Sequence, residues 1–322
     1  MQADFSEKQP LYGKKIAEDA MDEQHAMMMA IEDRIRQGNF RKDVLQLMDD
    51  DCNAVLEFGY GDGTLLFAAK LLKGAQKIYG IDVAQSEASS LFDGAWHLDL
   101  SREESELGDE WAEAFDCVIS CCVIEHVYDP WAVLSKLRKY LKPDGRIIFE
   151  VPNIQCWESL YRIAVGEFPY TSGAHFDSTH IRWYTVHSFA EILEFVGFEL
   201  ESVLPLTFGA DLSFLQHVNE LKTITLPPPG VNSDAPPIIM KFPVDMKAMY
   251  PFFVAPRFIF TARRGPAPLR DRKAGYHDEF EAFRLQHSSG CRFMEKIIAD
   301  PVNAAVARRL SEKFKVSIRH VL

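Results

Sequence analysis

This sequence of 322 residues is poor in three features, and each shortage excludes a class of protein. Basic residues number 35 against 47 acidic ones, so the net charge of −12 disfavours general binding to nucleic acid. No run approaches the ~20 apolar residues of a membrane-spanning helix. The six cysteines form no CxxC pair, so we predict buried free thiols and neither a disulfide framework nor a zinc site.

The first ten residues, MQADFSEKQP, are polar and lack the apolar core of a secretory signal. Together with the free thiols, this start indicates a cytoplasmic protein. Apolar residues make up 47% and charged residues 25% of the chain, which is ordinary for a globular protein with a sizeable core. The length favours one domain with additions over two full domains.

From residue 53 onward, short apolar runs alternate with amphipathic segments. The runs predict strands at AVLEFG, KIYGIDV, GAWHLDL, FDCVIS, GRIIFEVPN and FELESVLPL. Between them, helices are predicted at TLLFAAKLL, WAVLSKLRKYL and VHSFAEILEFVG. This alternation predicts an α/β fold with a doubly wound, mostly parallel sheet and helices on both faces. Right-handed crossovers then bring the carboxyl ends of the strands to one edge, where ligands bind.

Changes of pattern set the predicted domain boundaries. Residues 14–49 have helical spacing, so we place a helical segment at 1–48, before an α/β domain at 49–265. Two proline clusters predict an irregular insertion at 207–249, and APRFIFTARR predicts a late strand of the sheet. A helical extension follows at 266–322. We expect the insertion and the extension to cover the ligand site or to form the contact of a homodimer.

The stretch GYGDG lies between the first predicted strand and the first predicted helix of the sheet domain. Gly59, Gly61 and Gly63 leave the backbone bare there, and the start of the helix offers free N–H groups. A P-loop is excluded, because no Gly-Lys-Ser/Thr follows. A dinucleotide fingerprint would need glycine at the position of Thr64. The glycines alone therefore predict a nucleotide-like ligand without identifying it.

Carboxylates at the ends of the first three strands narrow the choice of ligand. Glu57 would repel a pyrophosphate but suits an ammonium group. Asp82 follows Gly59 by 23 residues, the spacing at which an acidic residue reaches ribose hydroxyls. Asp99 can accept a hydrogen bond from an adenine amino group. S-adenosylmethionine (SAM) contains an amino acid, a ribose and an adenine but no phosphate, so it fits this edge. An NAD(P)-dependent oxidoreductase is the less favoured alternative.

The order and spacing of five motifs resemble those of class I SAM-dependent methyltransferases over about residues 40–205: VLEFGYGDGTL, IYGIDV, HLDLS, FDCVISCCVIEHVYDP and LRKYLKPDGRIIFEVPN. The resemblance implies a seven-stranded Rossmann-like methyltransferase fold and SAM as the cofactor. A looser similarity of GEFPY and HFDSTHIRWYTVHSF to glycan and cell-surface biosynthesis methyltransferases implies methyl transfer to a hydroxyl of a small or glycan-linked acceptor. A non-catalytic binding subunit with the same fold is the alternative.

The same resemblance assigns residues to the cofactor: Glu57, Gly59, Tyr60, Gly61, Gly63, Asp82, Val83, Asp99, Leu100, Cys121 and Cys122. Glu57 and the glycines would hold the methionine moiety, Asp82 the ribose, and Asp99 with Leu100 the adenine. Quinone-ring relatives carry a metal-binding glutamate where this chain has Cys122. No metal site is therefore predicted.

Two histidines are candidate general bases, because the pKa of an imidazole lies near neutrality and suits removal of a hydroxyl proton. His126 follows the fourth strand, and His180 lies in the loop after the fifth. The alternative for His126 is a structural role at the start of a helix. Glu125, its neighbour in sequence, is expected to be structural.

The loop after the fifth strand supplies the candidates for substrate contact: Tyr170, His175, Asp177, Arg182 and Tyr184. Carboxylates accept hydrogen bonds from hydroxyls, and aromatic faces pack on sugar rings. The alternative is a loop that is held together internally by a salt bridge between Asp177 and Arg182.

Overall fold

A computed structural model of the protein describes residues 9–206, 223–226, 237–241 and 253–265. The chain begins with α1 (Gln9–Arg36) and the short α2 (Lys42–Leu45). The predicted N-terminal helical region is therefore broken into two helices. The break lies at Gly38, whose φ of +78° is the left-handed conformation that commonly ends a helix.

The α/β part of the chain contains four further helices: α3 (Thr64–Leu72), α4 (Pro130–Tyr140), α5 (Trp157–Ala164) and α6 (Val186–Val196). Its first six strands are β1 (Ala54–Phe58), β2 (Lys77–Asp82), β3 (Gly94–His97), β4 (Phe115–Cys121), β5 (Leu141–Pro152) and β6 (Phe198–Leu206). Three more follow: β7 (Thr223–Leu226), β8 (Ile238–Lys241) and β9 (Arg257–Arg264).

Seven of the strands form one sheet in the order β3-β2-β1-β4-β5-β9-β6. The first five strands in sequence pair in parallel, and β9 lies antiparallel between β5 and β6. This arrangement confirms the predicted seven-stranded, mostly parallel, Rossmann-like sheet. The predicted late strand APRFIFTARR is β9. Because β1 to β5 run the same way, Phe58, Asp82 and Cys121 all end strands at one edge of the sheet.

The core has two layers, one on each face of the sheet. Val55 and Leu56 are consecutive in β1, so they point to opposite faces, and each is fully buried. Val55 joins the layer that contains residues of α1 and α3, and Leu56 joins the layer that contains α4 and α6. The predicted helices on both faces are thus confirmed. Within the described ranges, no helix has both the length and the apolar character that a membrane crossing requires.

Part of the predicted insertion at 207–249 is regular. Strands β7 and β8 lie in it and pair antiparallel, from Thr223 opposite Lys241 to Leu226 opposite Ile238. The sequence predicted irregular structure here because proline clusters flank these short runs and obscure their strand character. The rest of the insertion and the predicted extension at 266–322 lie outside the described residues.

Candidate functional site

The glycine turn after β1 lies at the carboxyl edge of the sheet. Gly59 has a φ of +81°, and a Cβ there would lie 2.2 Å from Cγ2 of Val123 in the loop after β4. Gly61 also has a positive φ, +51°, but in the described part of the chain no atom lies within 4 Å of the position its Cβ would take. Glycine is thus required by packing at 59, whereas at 61 it leaves open backbone that a ligand can approach.

Glu57 lies directly below this turn and is buried, with 4% of its surface exposed. Its Oε2 atom makes no hydrogen bond to any described residue. Burial raises the pKa of Glu57 well above its ordinary value, and the negative charges of Asp62 and Asp82 raise it further. A cation that entered here would supply the missing partner.

Asp82 ends β2 and connects it to the glycine turn. Its Oδ2 accepts a hydrogen bond from the backbone N–H of Gly61 at 3.0 Å, and its Oδ1 accepts one from Ala84 at 2.9 Å. Each carboxylate oxygen has more than one acceptor position, so both can still accept from ligand hydroxyls. Val83 beside it is 62% exposed at the same edge.

Asp99 lies just beyond the end of β3. Its Oδ1 accepts hydrogen bonds from the backbone N–H and the hydroxyl of Ser101, and its Oδ2 accepts from Arg102. Partial burial acts to raise the pKa of Asp99, but these hydrogen bonds lower it overall. Its carboxylate is therefore an ionised acceptor. The side chains of Leu100 and Tyr60, by contrast, are buried and pack in the core.

Cys121 ends β4 and Cys122 follows it, so both border the same edge. Burial raises the pKa of both thiols, that of Cys122 to about 11, so both are neutral near pH 7. Cys122 has a φ of +54°, and its backbone N–H donates to the carbonyl of Glu150 at 2.9 Å. The two thiols therefore form a weakly polar wall and supply no charge.

Arg41 is a residue of this edge that the sequence did not reveal. It pairs with Asp43 at 2.8 Å and with the buried carboxylate of Glu150, and its charge acts on Glu57 and Cys121. Arg257, at the start of β9, also pairs with Glu150, at 3.0 Å. The two arginines are thus balanced by two carboxylates, those of Asp43 and Glu150. Arg41 lies in no motif, so no local signal could have identified it.

The two candidate bases meet in the structure. The rings of His126 and His180 pack edge to face with centroids 4.8 Å apart. His126 is exposed, and its Nδ1 lies 3.1 Å from both the carbonyl oxygen and the hydroxyl oxygen of Thr179. His180 is buried, and its Nε2 lies 3.8 Å from Oε1 of Glu125. Glu125 is also buried, and burial raises its pKa to about 7.

The loop between α5 and α6, residues 165–185, lies against the loop after β4, and we name it the lid loop. Ile181 and Arg182 both donate backbone N–H bonds of 3.0 Å to the carbonyl of Glu125. The proposed Asp177–Arg182 salt bridge does not occur among the described residues. Asp177 instead accepts from Thr179, and Arg182 donates to the carbonyl of Tyr128 at 2.5 Å.

The remaining substrate candidates of the lid loop differ in exposure. Tyr170 is 76% exposed and packs on Phe168, with ring centroids 5.5 Å apart. His175 is buried, and its Nε2 lies 2.6 Å from the carbonyl of Pro256. Tyr184 is buried against Phe189 in the core. The buried His175 and Tyr184 therefore hold the lid loop in place, whereas Tyr170 faces solvent.

Comparison with known proteins gives one family and several relatives. A family profile described as "Methyltransferase domain" matches residues 33–203. A ubiquinone biosynthesis O-methyltransferase of Idiomarina loihiensis is 33% identical over 110 residues, 32% of this chain and 44% of that protein. One of Coxiella burnetii is 26% identical over 183 residues, 53% of this chain and 76% of that protein. The chain spans about half the length of the first curated relatives it matches.

Solved structures were also compared with the chain. A SAM-dependent methyltransferase of Mesorhizobium loti aligns with a TM-score of 0.42 and 14% identity, over 69% of this chain and 96% of that one.

Proposed function

The chain belongs to the methyltransferase domain family, whose methyl donor is SAM, and from this premise we propose that it methylates a hydroxyl group of a small ring-bearing acceptor. One observation carries the proposal. A buried, unpartnered carboxylate, Glu57, lies beneath the open backbone of Gly61, with Asp82 beside both. That arrangement suits a ligand with a cationic end and neighbouring hydroxyls and repels a pyrophosphate, which argues against NAD(P).

The methionine end of SAM carries an ammonium and a carboxylate, and this edge offers a partner for each. Glu57 suits the ammonium, since its Oε2 makes no hydrogen bond to the described residues. Arg41 suits the carboxylate, since its positive charge is close enough to Glu57 to act on that residue's pKa. Asp82 suits the ribose hydroxyls, and the ionised Asp99 suits the adenine amino group.

SAM supplies an electrophilic methyl carbon on a sulfonium sulfur, so the chain's main task is to hold the acceptor oxygen in line with that carbon. The new carbon–oxygen bond forms as the carbon–sulfur bond breaks, and the sulfur keeps the electron pair. The hydroxyl proton must also leave. The cluster of Glu125, His126 and His180 lies at the same edge, and we assign the deprotonation to it.

The exposed residues of the lid loop favour an acceptor that contains a ring. The exposed side chains of Phe168, Tyr170 and Trp183 form one aromatic group in the lid loop, with Phe168 at its centre. Flat rings of this kind pack on phenolic rings and on the apolar faces of sugars. The names of the relatives favour a ring hydroxyl of the quinone-precursor type. The glycan-linked acceptor that the sequence favoured is the second candidate.

A methyl-transfer assay tests the proposal. The protein and methyl-labelled SAM are incubated in separate reactions with two acceptor classes. One class is catechols, and the other is free and nucleotide-linked sugars. We expect label in an ether product of one class, together with S-adenosylhomocysteine. Label in neither class, with normal SAM binding, would support the non-catalytic alternative and refute the enzymatic one. A matched Asp82→Ala variant distinguishes specific transfer from background.

A further inference from the structure

Arg257 is a charged residue at the carboxyl edge of the sheet to which the proposed cofactor site gives no role. It begins β9, where it pairs with Pro152 at the end of β5 and with Leu206 at the end of β6. Its side chain is 38% exposed, whereas its partner Glu150 is fully buried. A partly exposed guanidinium that a buried acid holds in place is well suited to bind a ligand.

Glu150 orients this arginine without using most of its donors. Its Oε1 lies 3.0 Å from Nη1 of Arg257, and its Oε2 pairs with Arg41. The neutral thiol of Cys122 is a second partner of the Arg257 guanidinium. A guanidinium carries five N–H donors, and within the described ranges those that meet neither Glu150 nor Cys122 have no partner. These donors are open to a ligand.

The order of the strands places Arg257 beyond the residues assigned to the cofactor. Those residues follow β3, β2, β1 and β4, whereas β9 lies on the far side of β5. Neighbouring strands are ~4.8 Å apart, so the start of β9 is roughly 14 Å along the edge from the glycine turn after β1. Arg257 therefore lies on the side of the edge where an acceptor would meet the methyl group, away from the ribose and adenine positions.

The lid loop is fastened to the residue just before Arg257. The carbonyl oxygen of Pro256 lies 2.6 Å from Nε2 of His175. The carbonyl of His175 in turn accepts a hydrogen bond of 3.1 Å from Nε1 of Trp183. Trp183 belongs to the exposed aromatic group that suits the ring of an acceptor. Arg257 is thus connected to that aromatic group through two intervening residues.

The Cys122 thiol connects Arg257 to the candidate bases as well. It lies within hydrogen-bonding reach of the Glu125 carboxylate as well as of the guanidinium. Glu125 lies 3.8 Å from Nε2 of His180. A molecule that lies over this thiol would therefore have proton-accepting groups near one end and a cation near the other.

We propose that Arg257 binds an anionic group of the acceptor, a carboxylate or a phosphate, and so selects acidic ring compounds over neutral ones. Arginine suits both groups, because its planar guanidinium donates two parallel N–H bonds to a pair of oxygens. The inference rests on the proposed function and names its substrate class, since the same molecule presents its hydroxyl to the bases.

Charge at the two ends would also orient such an acceptor. Glu125 and Asp177 lie close enough for the charge of Asp177 to act on the pKa of Glu125, so the end with the bases carries acids. Acids repel an anion and Arg257 attracts one. The anionic group is therefore held at Arg257, and the hydroxyl is left at the end with the bases.

Paired ligands that differ by one anionic group test the site on protein loaded with S-adenosylhomocysteine. One pair is catechol and 3,4-dihydroxybenzoate, and the other is glucose and glucose 1-phosphate. Calorimetry gives the affinity for each ligand. Arg257→Met removes the guanidinium and keeps the apolar stem, whereas Arg257→Lys keeps the charge. Arg162→Met is the control, because Arg162 is 36% exposed and pairs with Glu167.

We expect wild type and Arg162→Met to bind the charged member of at least one pair roughly tenfold or more tightly than its neutral member. The pair that shows this preference identifies the anion as a carboxylate or a phosphate. Arg257→Met should lose the preference, and Arg257→Lys should keep part of it, because an ammonium keeps the charge but lacks the planar fork. Equal affinity of all four proteins for S-adenosylhomocysteine confirms that the variants are folded.

Three results would overturn the site. The first is a folded wild type that prefers the charged member of neither pair, and the second is a preference that survives in Arg257→Met. The third is loss of S-adenosylhomocysteine binding in both Arg257 variants, which would assign the arginine to the cofactor. The ligand pairs on wild type and on Arg257→Lys keep the test decisive if Arg257→Met does not fold.

Failure of this site and failure of the proposed function give different results. If wild type and Arg257→Met methylate a neutral catechol or sugar equally well and prefer no charged ligand, the site is wrong and the proposed function stands. If a charged ligand binds through Arg257 but no acceptor receives a methyl group, the site stands and the enzymatic function is wrong.

Discussion

Replacing Glu57 by glutamine should stabilise the unliganded protein and weaken its binding of SAM. The side chain is buried, its Oε2 is unpartnered within the described structure, and Asp62 and Asp82 add negative charge nearby. A buried group without its partner costs ~1–3 kcal/mol, more when it is charged. Glutamine keeps the shape and removes the charge. We expect a gain of about 1–2 kcal/mol at pH 8, which corresponds to roughly 2–4 °C per kcal/mol in melting temperature.

The gain should depend on pH in a defined direction. In the unfolded chain Glu57 titrates near 4.5, whereas in the folded protein its pKa lies well above that value. Between the two, the folded state holds a proton that the unfolded chain has released, so wild-type stability falls as the pH rises. Glutamine does not titrate. The two melting temperatures should therefore coincide below about pH 4.5 and separate as the pH rises.

Affinity for the cofactor should change in the opposite sense. A charge-assisted hydrogen bond to the ammonium of SAM contributes ~1.5–3 kcal/mol, so Glu57→Gln should weaken binding roughly 10- to 100-fold. Thermal unfolding across pH and calorimetry with SAM measure both effects. Glu167→Gln is the control, since Glu167 is exposed and pairs with Arg162 at 2.9 Å. A Glu57→Gln protein that melts lower than wild type at pH 8, or that binds SAM equally well, would refute this reasoning.

Three further substitutions have defined outcomes. Asp82→Ala should weaken SAM binding by ~2–3 kcal/mol, because it removes two ribose contacts, and calorimetry with an unchanged binding constant would exclude that role. Gly59→Ala should lower the free energy of unfolding by more than about 2 kcal/mol, since its Cβ would meet Val123 at 2.2 Å and its φ is +81°; denaturant titration measures this, and a neutral result would contradict the packing. His126→Asn should lower kcat about a hundredfold or more with SAM affinity nearly unchanged. A change confined to the acceptor KM would assign His126 to positioning alone.

The sheet and the grouping of acidic residues at its carboxyl edge could be predicted from local signals. AVLEF and FDCVIS are apolar runs of strand length, and the structure buries them as neighbouring central strands β1 and β4. Because parallel strands end at one edge, the acids that close β1, β2 and β3 could be placed together without a structure. The glycine pattern likewise predicted the turn after β1, because Gly59 and Gly61 have positive φ values that cost glycine less than other residues.

Side chains with distant partners could not be placed in this way. Arg41 is held at the carboxyl edge of the sheet by Glu150, 109 residues away in sequence. His175 is held by the carbonyl of Pro256, 81 residues away, whereas His180, five residues later, faces Glu125. Nothing in HFDSTHIRWYT distinguishes these two environments. The suggested salt bridge between Asp177 and Arg182 is absent from the described residues for the same reason. Arg182 instead donates to the carbonyl oxygen of Tyr128, a partner that the sequence does not indicate.

Titration calorimetry of the full-length protein with S-adenosylhomocysteine tests the central claim most directly, because it does not need the acceptor. NAD⁺ in the same buffer is the matched control ligand, since it shares the adenosine but adds a pyrophosphate. We expect one molecule of S-adenosylhomocysteine to bind per chain and NAD⁺ to give no binding heat. Folded protein that fails to bind S-adenosylhomocysteine, or that binds NAD⁺ in preference, would contradict the assignment of this edge to SAM.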